Sequence, residues 1–377
     1  MRNQAHQLSV LRRWFAATAL VALAGIAACG KKETPPAAET ASTPPAVAVT
    51  AEKPKFAVAW SHYVGWEPWG YAEHAGILKK WADKYGIEIS LTLVNDYVES
   101  INLYTAGKFD ACVVTNMDAL TIPAVGGVDS EAVIVGDFSN GNDGIIVKKA
   151  DSVKALKGRK INLVELSVSH YLLARALDMN GLSEKDVTLV NTSDADIAAV
   201  FTSDANGAAV TWNPPLAQAR QAPGAKLVFD SSSIPGEIMD LMVVKAIAPD
   251  SLKLALTGAW YEVMGVLTGS GPETDAAIEF MAKASGASID DFKSQLKTTA
   301  MFYKPADAAT FAASADVSKT MDKVRQFSFS KGLFGEGAAS VDVVGIGFTD
   351  GSTLGKSDNV KLHFTDKYMK VAADGKL

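Results

Sequence analysis

The 377-residue sequence has only two cysteines, Cys29 and Cys112, so at most one disulfide is possible. It has no Cys/His spacing typical of a zinc site, no glycine-rich phosphate loop and no Gly-x-Ser-x-Gly nucleophile motif. The usual sequence signals for zinc chemistry, nucleotide binding and serine esterases are therefore missing. We predict no catalytic residue, no cofactor and no metal.

A long hydrophobic run suited to spanning a membrane is also lacking near the N-terminus. Residues 14–28 are mainly apolar and follow three arginines, but they are too short and alanine-rich for a membrane helix. They end in IAAC (26–29), which resembles a bacterial lipobox; an ordinary cleavage site beside an unrelated cysteine is the alternative. We predict a signal peptide at 1–28, lipidation at Cys29, and export to the periplasm or cell envelope with a lipid anchor in the membrane.

Positive charge is scarce in the predicted mature chain. The net charge is −6, and the leader removes three arginines and no acid, which leaves −9. Nucleic-acid partners select a basic face, so none is expected. Residues 29–54 are rich in Pro, Ala and Thr and cannot bury enough apolar surface to fold, so we predict a tether for this segment.

From residue 55 onward, strand-like and helical patterns alternate. KFAVAW (55–60) has apolar residues at every second position, and Ile77, Trp81 and Tyr85 recur at helical spacing before Gly86. This alternation predicts an α/β protein with parallel sheet. We predict two doubly wound Rossmann-like lobes joined by a two-strand hinge. Their predicted limits are 55–143 plus 241–377 for lobe 1 and 144–240 for lobe 2, with mostly helix past Pro249 and a late strand-like patch at SVDVVGIGF.

Lysine and arginine are missing from the loops that follow the predicted strands, where open parallel sheets bind ligands. The seven stretches are SHYVGWEPWG, VNDYVE, TNMDAL, DFSNGNDG, VELSVSH, TWNPP and SIPGEIMD. A cleft with this charge pattern repels anions and attracts a cation. The acids in these stretches are Glu67, Asp96, Glu99, Asp118, Asp137, Asp143, Glu165, Glu237 and Asp240.

Three tryptophans share these loops and lie beside glycine or proline: Trp66, Trp69 and Trp212. An aromatic face attracts a desolvated cation with about 1–2 kcal/mol. Ordinary roles remain open for these loop residues, such as helix caps at Asn116 and Asp118 or a tryptophan in the core. Together, the rings and acids favour a small planar cation as the ligand.

Long stretches of the sequence resemble one protein family. They include YVGWEPWGYAE, NDYVESINLYTAGKFDACVVTNMDALTIPAVGGVD, VGDFSNGNDGI, VELSVSHYLLARAL and VRQFSFSKGLFG, and the resemblance covers residues 55–377. The pattern is similar to the type II periplasmic substrate-binding proteins of ABC importers, in the branch of nitrate, sulfonate and thiamine-precursor binders. Within it, the motifs resemble the subfamily encoded beside urea carboxylase genes. The resemblance implies a monomer that captures a small nitrogen-rich solute for a permease in the inner membrane.

The chemistry of the loops favours guanidinium over urea, because urea also needs hydrogen-bond donors from its site. The alternatives are a binder of another small solute (nitrate, sulfonate or an amine), an enzyme of the thiamine-precursor type, and a sensor. For the guanidinium site we predict three kinds of contact. The stacking walls are Trp66, Trp69 and Trp212, and the supporting polar groups are Thr115 and Asn116. The acidic acceptors are Glu67, Asp118, Asp137, Glu165 and Asp240.

Overall fold

The computed structural model describes residues 52–377. The predicted signal peptide, Cys29 and most of the predicted tether lie outside the described residues. None of the helices in residues 52–377 is long and apolar enough to cross a membrane. Cys112, in contrast, is fully buried in a strand, as expected of a small hydrophobic residue.

The larger sheet has nine strands, numbered here in chain order together with those of the smaller sheet. They are β1 (Lys55–Trp60), β2 (Glu88–Leu93), β3 (Ala111–Thr115), β4 (Ser130–Ser139), β10 (Met239–Lys245), β11 (Thr299–Met301), β12 (Gly345–Gly347), β13 (Thr353–Leu354) and β14 (Val360–Phe364). Their order is β13-β12-β14-β4-β10-β3-β1-β2, and β11 pairs with β4. Strand β10 runs antiparallel to both of its neighbours, β3 and β4, whereas β1 is parallel to β2 and β3.

The smaller sheet has five strands in the order β7-β6-β8-β5-β9. They are β5 (Asp143–Lys148), β6 (Lys160–Leu163), β7 (Thr188–Asn191), β8 (Ala208–Trp212) and β9 (Ala225–Asp230). Strand β5 is antiparallel to β8 and β9, and β6 is parallel to β7 and β8. The predicted α/β class with two sheets is confirmed. The exact lobe limits, at 143/144 and 240/241, stay a prediction.

Thirteen α-helices lie in the described part of the chain, most of them between strands of the first two thirds or after β10. They are α1 (Glu67–His74), α2 (Ile77–Lys84), α3 (Tyr97–Thr105), α4 (Asn116–Ala119), α5 (Val168–Met179), α6 (Asp194–Ser203), α7 (Pro215–Arg220), α8 (Asp250–Thr268), α9 (Pro272–Ala284), α10 (Ile289–Leu296), α11 (Pro305–Ala312), α12 (Ala315–Ser330) and α13 (Lys367–Ala373).

Local sequence explains where the first helices begin and end. Helix α1 starts at Glu67 and has Pro68 in its first turn. The backbone N–H groups of the first turn have no partner within a helix, so proline, which has no N–H, is tolerated there. The helix predicted through Ile77 and Trp81 is α2. It ends before Gly86, whose φ of 68° is readily adopted only by glycine.

The structure differs from the predicted elements in two respects. The stretch SHYVGWEPWG is not a loop throughout, because α1 begins inside it. The sheets are mixed, since β5 and β10 run against their neighbours. In the C-terminal third, SVDVVGIGF contains only the three-residue strand β12, and β11, β13 and β14 were not predicted.

Candidate functional site

Strand direction brings the ends of several strands to one place in each sheet. In the larger sheet, Asp240 pairs with Thr115 on β3 and with Asp137 on β4. In the smaller sheet, Asp143 pairs with Trp212. Because β10 and β5 are antiparallel to these neighbours, their first residues lie level with the last residues of β3, β4 and β8. The reversed strands therefore add acids to the edge of each sheet where its parallel strands end.

A buried cavity of about 260 Å³ lies between these strand ends and takes residues from both sheets. We call it the acidic cavity. Its walls include Tyr63, Trp66, Tyr97, Thr115, Asp143, Val168, Trp212, Ile238 and Asp240.

A second cavity of about 200 Å³, the indole cavity, shares Trp66 and Asp240 with the first. Asp137 lines it together with Trp69 and Trp260, whose rings stack with centroids 5.1 Å apart. The rest of its lining consists of apolar side chains and Gly136. Asp240 therefore lies between a mixed polar cavity and a largely apolar one, and Asp137 lines the apolar one.

Four aromatic rings follow one another around the acidic cavity. The ring centroids of Tyr63 and Trp66 are 5.0 Å apart, those of Trp66 and Tyr97 are 5.5 Å apart, and Tyr97 meets Trp212 edge-on at 5.7 Å. All four side chains are buried. Such a set of rings presents π faces and edges to a small ligand, the arrangement that binds organic cations.

The acids of the site are buried but have few hydrogen-bond donors. Asp118 accepts bonds from the Tyr97 hydroxyl (2.7 Å) and from the Thr115 hydroxyl (2.9 Å), both at Oδ2. Among the described residues, Oδ1 of Asp118, both oxygens of Asp137 and Oδ2 of Asp240 have no hydrogen-bond partner. Buried polar groups are nearly always bonded, so these oxygens indicate a missing donor.

Burial raises the pKa of every one of these carboxyl groups. It raises the pKa of Asp118 to about 6 and those of Asp137 and Asp143 to about 7. Burial, and then the negative charge of Asp137, raise the pKa of Asp240 well above its usual range. Within residues 52–377, no lysine, arginine or histidine lines either cavity. Nothing basic in the described lining offsets the charge of the acids.

Six of the predicted site residues lie together. Trp66, Thr115, Trp212 and Asp240 line the acidic cavity, Asp137 lines the adjoining indole cavity, and Asp118 bonds to Thr115. Trp69 lies in α1, lines only the indole cavity and is 1% exposed, so its ring is part of the core rather than a wall on a loop.

The structure places the other three predicted residues outside both cavities. Glu67 is buried and bonds to Nδ1 of His62 at 2.7 Å. Asn116 donates to the carbonyl of Glu237 (3.2 Å) and accepts from the amide of Met239 (3.0 Å), so its amide holds the start of β10.

Glu165 requires a correction. It was predicted as an acidic acceptor for the ligand, but β6 ends at Leu163, and Glu165 lies two residues later, half-buried and outside both cavities. The next residue, Leu166, has a φ of 66°, which turns the chain. Only the backbone N–H of Glu165 forms a hydrogen bond among the described residues, to Asn191 at 3.0 Å.

Five residues of the acidic cavity were not predicted as site residues: Tyr63, Tyr97, Asp143, Val168 and Ile238. The two tyrosines lie in the same loop stretches as the predicted tryptophan and acids, so their position was a usable signal. Asp143 was counted among the loop acids, but its Gly/Asn-rich surroundings were equally consistent with turn chemistry.

The comparisons with known proteins agree with this fold. Residues 73–245 match the family described as "NMT1/THI5 like". No match was found among curated proteins. The alkanesulfonate-binding protein SsuA from Xanthomonas axonopodis pv. citri, bound to MOPS, is similar with a TM-score of 0.62 and 17% identity, over 76% of this chain and 96% of that one.

Two further solved structures are similar. The periplasmic aliphatic sulphonate-binding protein SsuA from Escherichia coli has a TM-score of 0.61 and 19% identity, over 74% of this chain and 94% of that one. The desulfurization enzyme DSZB has a TM-score of 0.51 and 15% identity, over 74% and 93%. Two of these three are thus named as binding proteins and one as an enzyme. The chain has the fold of the periplasmic binding proteins.

Proposed function

We propose that this protein is the substrate-binding component of an ABC importer and that it binds guanidinium in the acidic cavity. One observation carries the choice of ligand. Four buried carboxyl groups, those of Asp118, Asp137, Asp143 and Asp240, converge within a set of aromatic rings, and several of their oxygens have no hydrogen-bond partner among the described residues.

Guanidinium matches this chemistry group by group. It is planar, carries one positive charge and has only N–H donors, like the side chain of arginine. Carboxylate oxygens accept paired N–H bonds from such a fork. The faces of Trp66 and Trp212 offer the cation a further attraction of about 1–2 kcal/mol each when water is excluded.

The charge of the cavity disfavours the anions that the branch also serves. Two similar structures are named for alkanesulfonate or sulphonate binding, which requires donors or positive charge around the sulfonate. The described lining of both cavities has acids and no basic side chain. Nitrate and sulfonate would therefore meet repulsion here.

Urea is the second candidate, and a specific feature of the site favours it. Burial raises the pKa of Asp137 and Asp143 to about 7, so part of the carboxyl groups carry a proton near neutral pH. A protonated carboxyl donates a hydrogen bond, which the carbonyl oxygen of urea can accept. The Tyr63 hydroxyl and the Trp66 indole N–H, both without a described partner, are additional donors.

Delivery to a permease is the second part of the proposal. The predicted leader and lipidated Cys29 support export and anchoring at the membrane, and the family match supports a small-molecule ligand and an ABC permease as partners. We propose that the two lobes close on the ligand, since residues of both sheets line the acidic cavity. An enzymatic role is the alternative on this fold, since one similar structure is named as a desulfurization enzyme.

Isothermal titration calorimetry on the full-length protein tests the proposal with four ligands: guanidinium, urea, nitrate and an alkanesulfonate. We expect guanidinium to bind most tightly at pH 8, with no heat from the two anions. Replacing Asp143 with Asn should weaken guanidinium binding, whereas the exposed Asp290→Asn, the same chemical change away from the cavity, should not. Binding of an anion without a response to guanidinium would contradict the proposal.

A further inference from the structure

The acidic cavity and the adjoining indole cavity together have three carboxyl groups, those of Asp137, Asp143 and Asp240, against the single charge of a guanidinium ion. This excess leads to an inference that rests on the proposed function. We propose that Asp137 and Asp240 form a proton-sharing pair that sets ligand selectivity: the ionised pair takes guanidinium, and the singly protonated pair takes a neutral amide such as urea.

Strand register holds the two carboxyl groups together. Asp240 and Asp137 are direct partners in the antiparallel pairing of β10 with β4. Side chains at such positions have Cβ atoms about 4.5–5.5 Å apart. Both residues are buried, at 2% and 0% exposure. The pair therefore cannot separate into solvent without breaking the sheet.

No described side chain forms a hydrogen bond of good geometry to the unpartnered oxygens of the pair, although the Tyr63 hydroxyl and the Trp66 indole N–H lie close enough to lower the pKa of Asp240. Both oxygens of Asp137 and Oδ2 of Asp240 have no hydrogen-bond partner. Two ionised carboxylates about 4 Å apart repel each other by about 4 kcal/mol even at an effective dielectric constant of 20. One proton between them removes the repulsion and provides a hydrogen bond, as in other carboxyl pairs that share a site.

The surroundings give the pair no positive charge. The titratable groups that face it are Tyr63 in the segment after β1, Asp143 in β5 and Tyr303 after β11, and Asp118 in α4 faces Asp143. All of these are neutral or negative. Burial raises the pKa of Asp137 to about 7 and that of Asp240 further, in line with a retained proton.

The two ligands then make opposite demands on that proton. Guanidinium has no acceptor atom, and its pKa lies far above neutrality, so it keeps its own protons. When it binds, the proton shared by Asp137 and Asp240 leaves for the solvent, and both carboxylates accept N–H bonds. Urea carries an acceptor oxygen and no charge, so it binds the protonated pair and releases no proton.

Proton release during calorimetry measures this directly on the full-length protein. Titrations at pH 8, where Asp137 is ionised and Asp240 keeps its proton, in buffers of different ionisation enthalpy should show about one proton released per guanidinium bound and none per urea. The affinity for guanidinium should rise with pH above 7, by up to about tenfold per pH unit, and that for urea should not rise. Guanidinium binding without proton release would overturn the inference and leave the proposed function standing.

Replacing Asp240 with Asn tests the pair itself, because Asn is neutral at every pH and its amide always donates. We expect the variant to lose guanidinium affinity by at least tenfold at pH 8, to release no proton and to retain urea binding. Asp290→Asn is the matched control and should behave like the unchanged protein. A variant with the original preference and proton release would overturn the inference, and absence of binding of either ligand by the unchanged protein would instead contradict the proposed function.

If Asp240→Asn does not fold, the number of protons that the unchanged protein releases per guanidinium still tests the inference. Asp137→Asn is the second variant, since it neutralises the other member of the same pair. It should give the same loss of proton release, and an unaltered proton count would exclude Asp137 from the pair.

Discussion

Two buried acidic centres lie on either side of the start of β10, and they differ in their partners. Glu237, in the segment before β10, accepts bonds from the Tyr171 hydroxyl (2.6 Å), from Nε of Arg175 (3.0 Å) and from Nζ of Lys323 (2.9 Å). Asp240, three residues later, has an oxygen with no partner among the described residues.

The pKa values of the two centres shift in opposite directions. Burial raises the pKa of Glu237, but the bonds from Arg175, Tyr171 and Lys323 outweigh it and bring the pKa below its usual range. At Asp240, burial and the charge of Asp137 act in the same direction and raise it. A buried acid with cationic partners serves the fold, whereas one without them indicates a ligand. Glu237 is only 6% exposed, so its carboxylate depends on these partners and not on solvent.

The largest expected effect concerns the unpartnered centre. Asp143→Asn removes one carboxylate from the acidic cavity while keeping the size of the side chain. Losing one member of a desolvated charge pair typically costs about 2–5 kcal/mol, so guanidinium affinity should fall by roughly 30-fold or more at pH 8. Calorimetry measures the affinity. A change of less than threefold would show that Asp143 does not contact the ligand.

The acids without partners should also determine how the stability of the ligand-free protein changes with pH. The folded-state pKa values of Asp137 and Asp143 are about 7, against an ordinary value of 3.8. Their contribution to stability is thus complete below about pH 4 and is lost as the pH rises through 7. The melting temperature of the ligand-free protein should fall between pH 5 and pH 8, and guanidinium should restore it. A flat profile would contradict the burial of these acids.

Replacing Glu237, the acid with partners, should affect stability more than ligand binding. Glu237→Ala leaves Tyr171 and Arg175 without their acceptor, and hydrogen bonds to charged groups contribute about 1.5–3 kcal/mol. Because Lys323 and Arg175 are partly exposed, we expect the lower end of that range. Heat is the suitable denaturant for this measurement, since urea and guanidinium are candidate ligands. The variant should lower the melting temperature and change guanidinium affinity less than Asp143→Asn does.

The smallest effect is expected at Glu165. Its carboxylate lies outside both cavities and is only half-buried, so Glu165→Gln should leave guanidinium affinity within about twofold. The thermal shift produced by guanidinium is a sufficient measurement. A loss comparable to that of Asp143→Asn would place Glu165 in the site after all, in a conformation different from this one.

Periodicity allowed much of the fold to be predicted, but short polar strands escaped it. The alternating run of β1 and the helical repeat of α2 have enough apolar residues to identify their type. Strand β14 has the sequence VKLHF, whose lysine and histidine weaken any strand signal. Its place beside β4 depends on tertiary pairing, which local sequence does not encode.

The site was predictable where it depends on strand ends and not where it depends on side-chain partners. Asp137, Asp240 and Trp212 were identified because loops after strands collect ligand-binding residues. Glu67 and Asn116 occupy equivalent positions, but each is bonded to a protein group, His62 in one case and the backbone of Glu237 and Met239 in the other. Such partners are known only once the chain is folded.

The positions of Asp137, Asp143 and Asp240 have one more consequence. Asp137 lies near the end of β4, Asp143 begins β5, and Asp240 is the second residue of β10, so the acids flank the two places where the chain passes between the sheets. Any bending there alters the spacing of like charges. At a pH above the raised pKa values of these acids, we expect repulsion between the ionised carboxylates to favour an open form of the empty protein and a bound cation to favour a closed one. An uncharged molecule of the same shape supplies no such attraction.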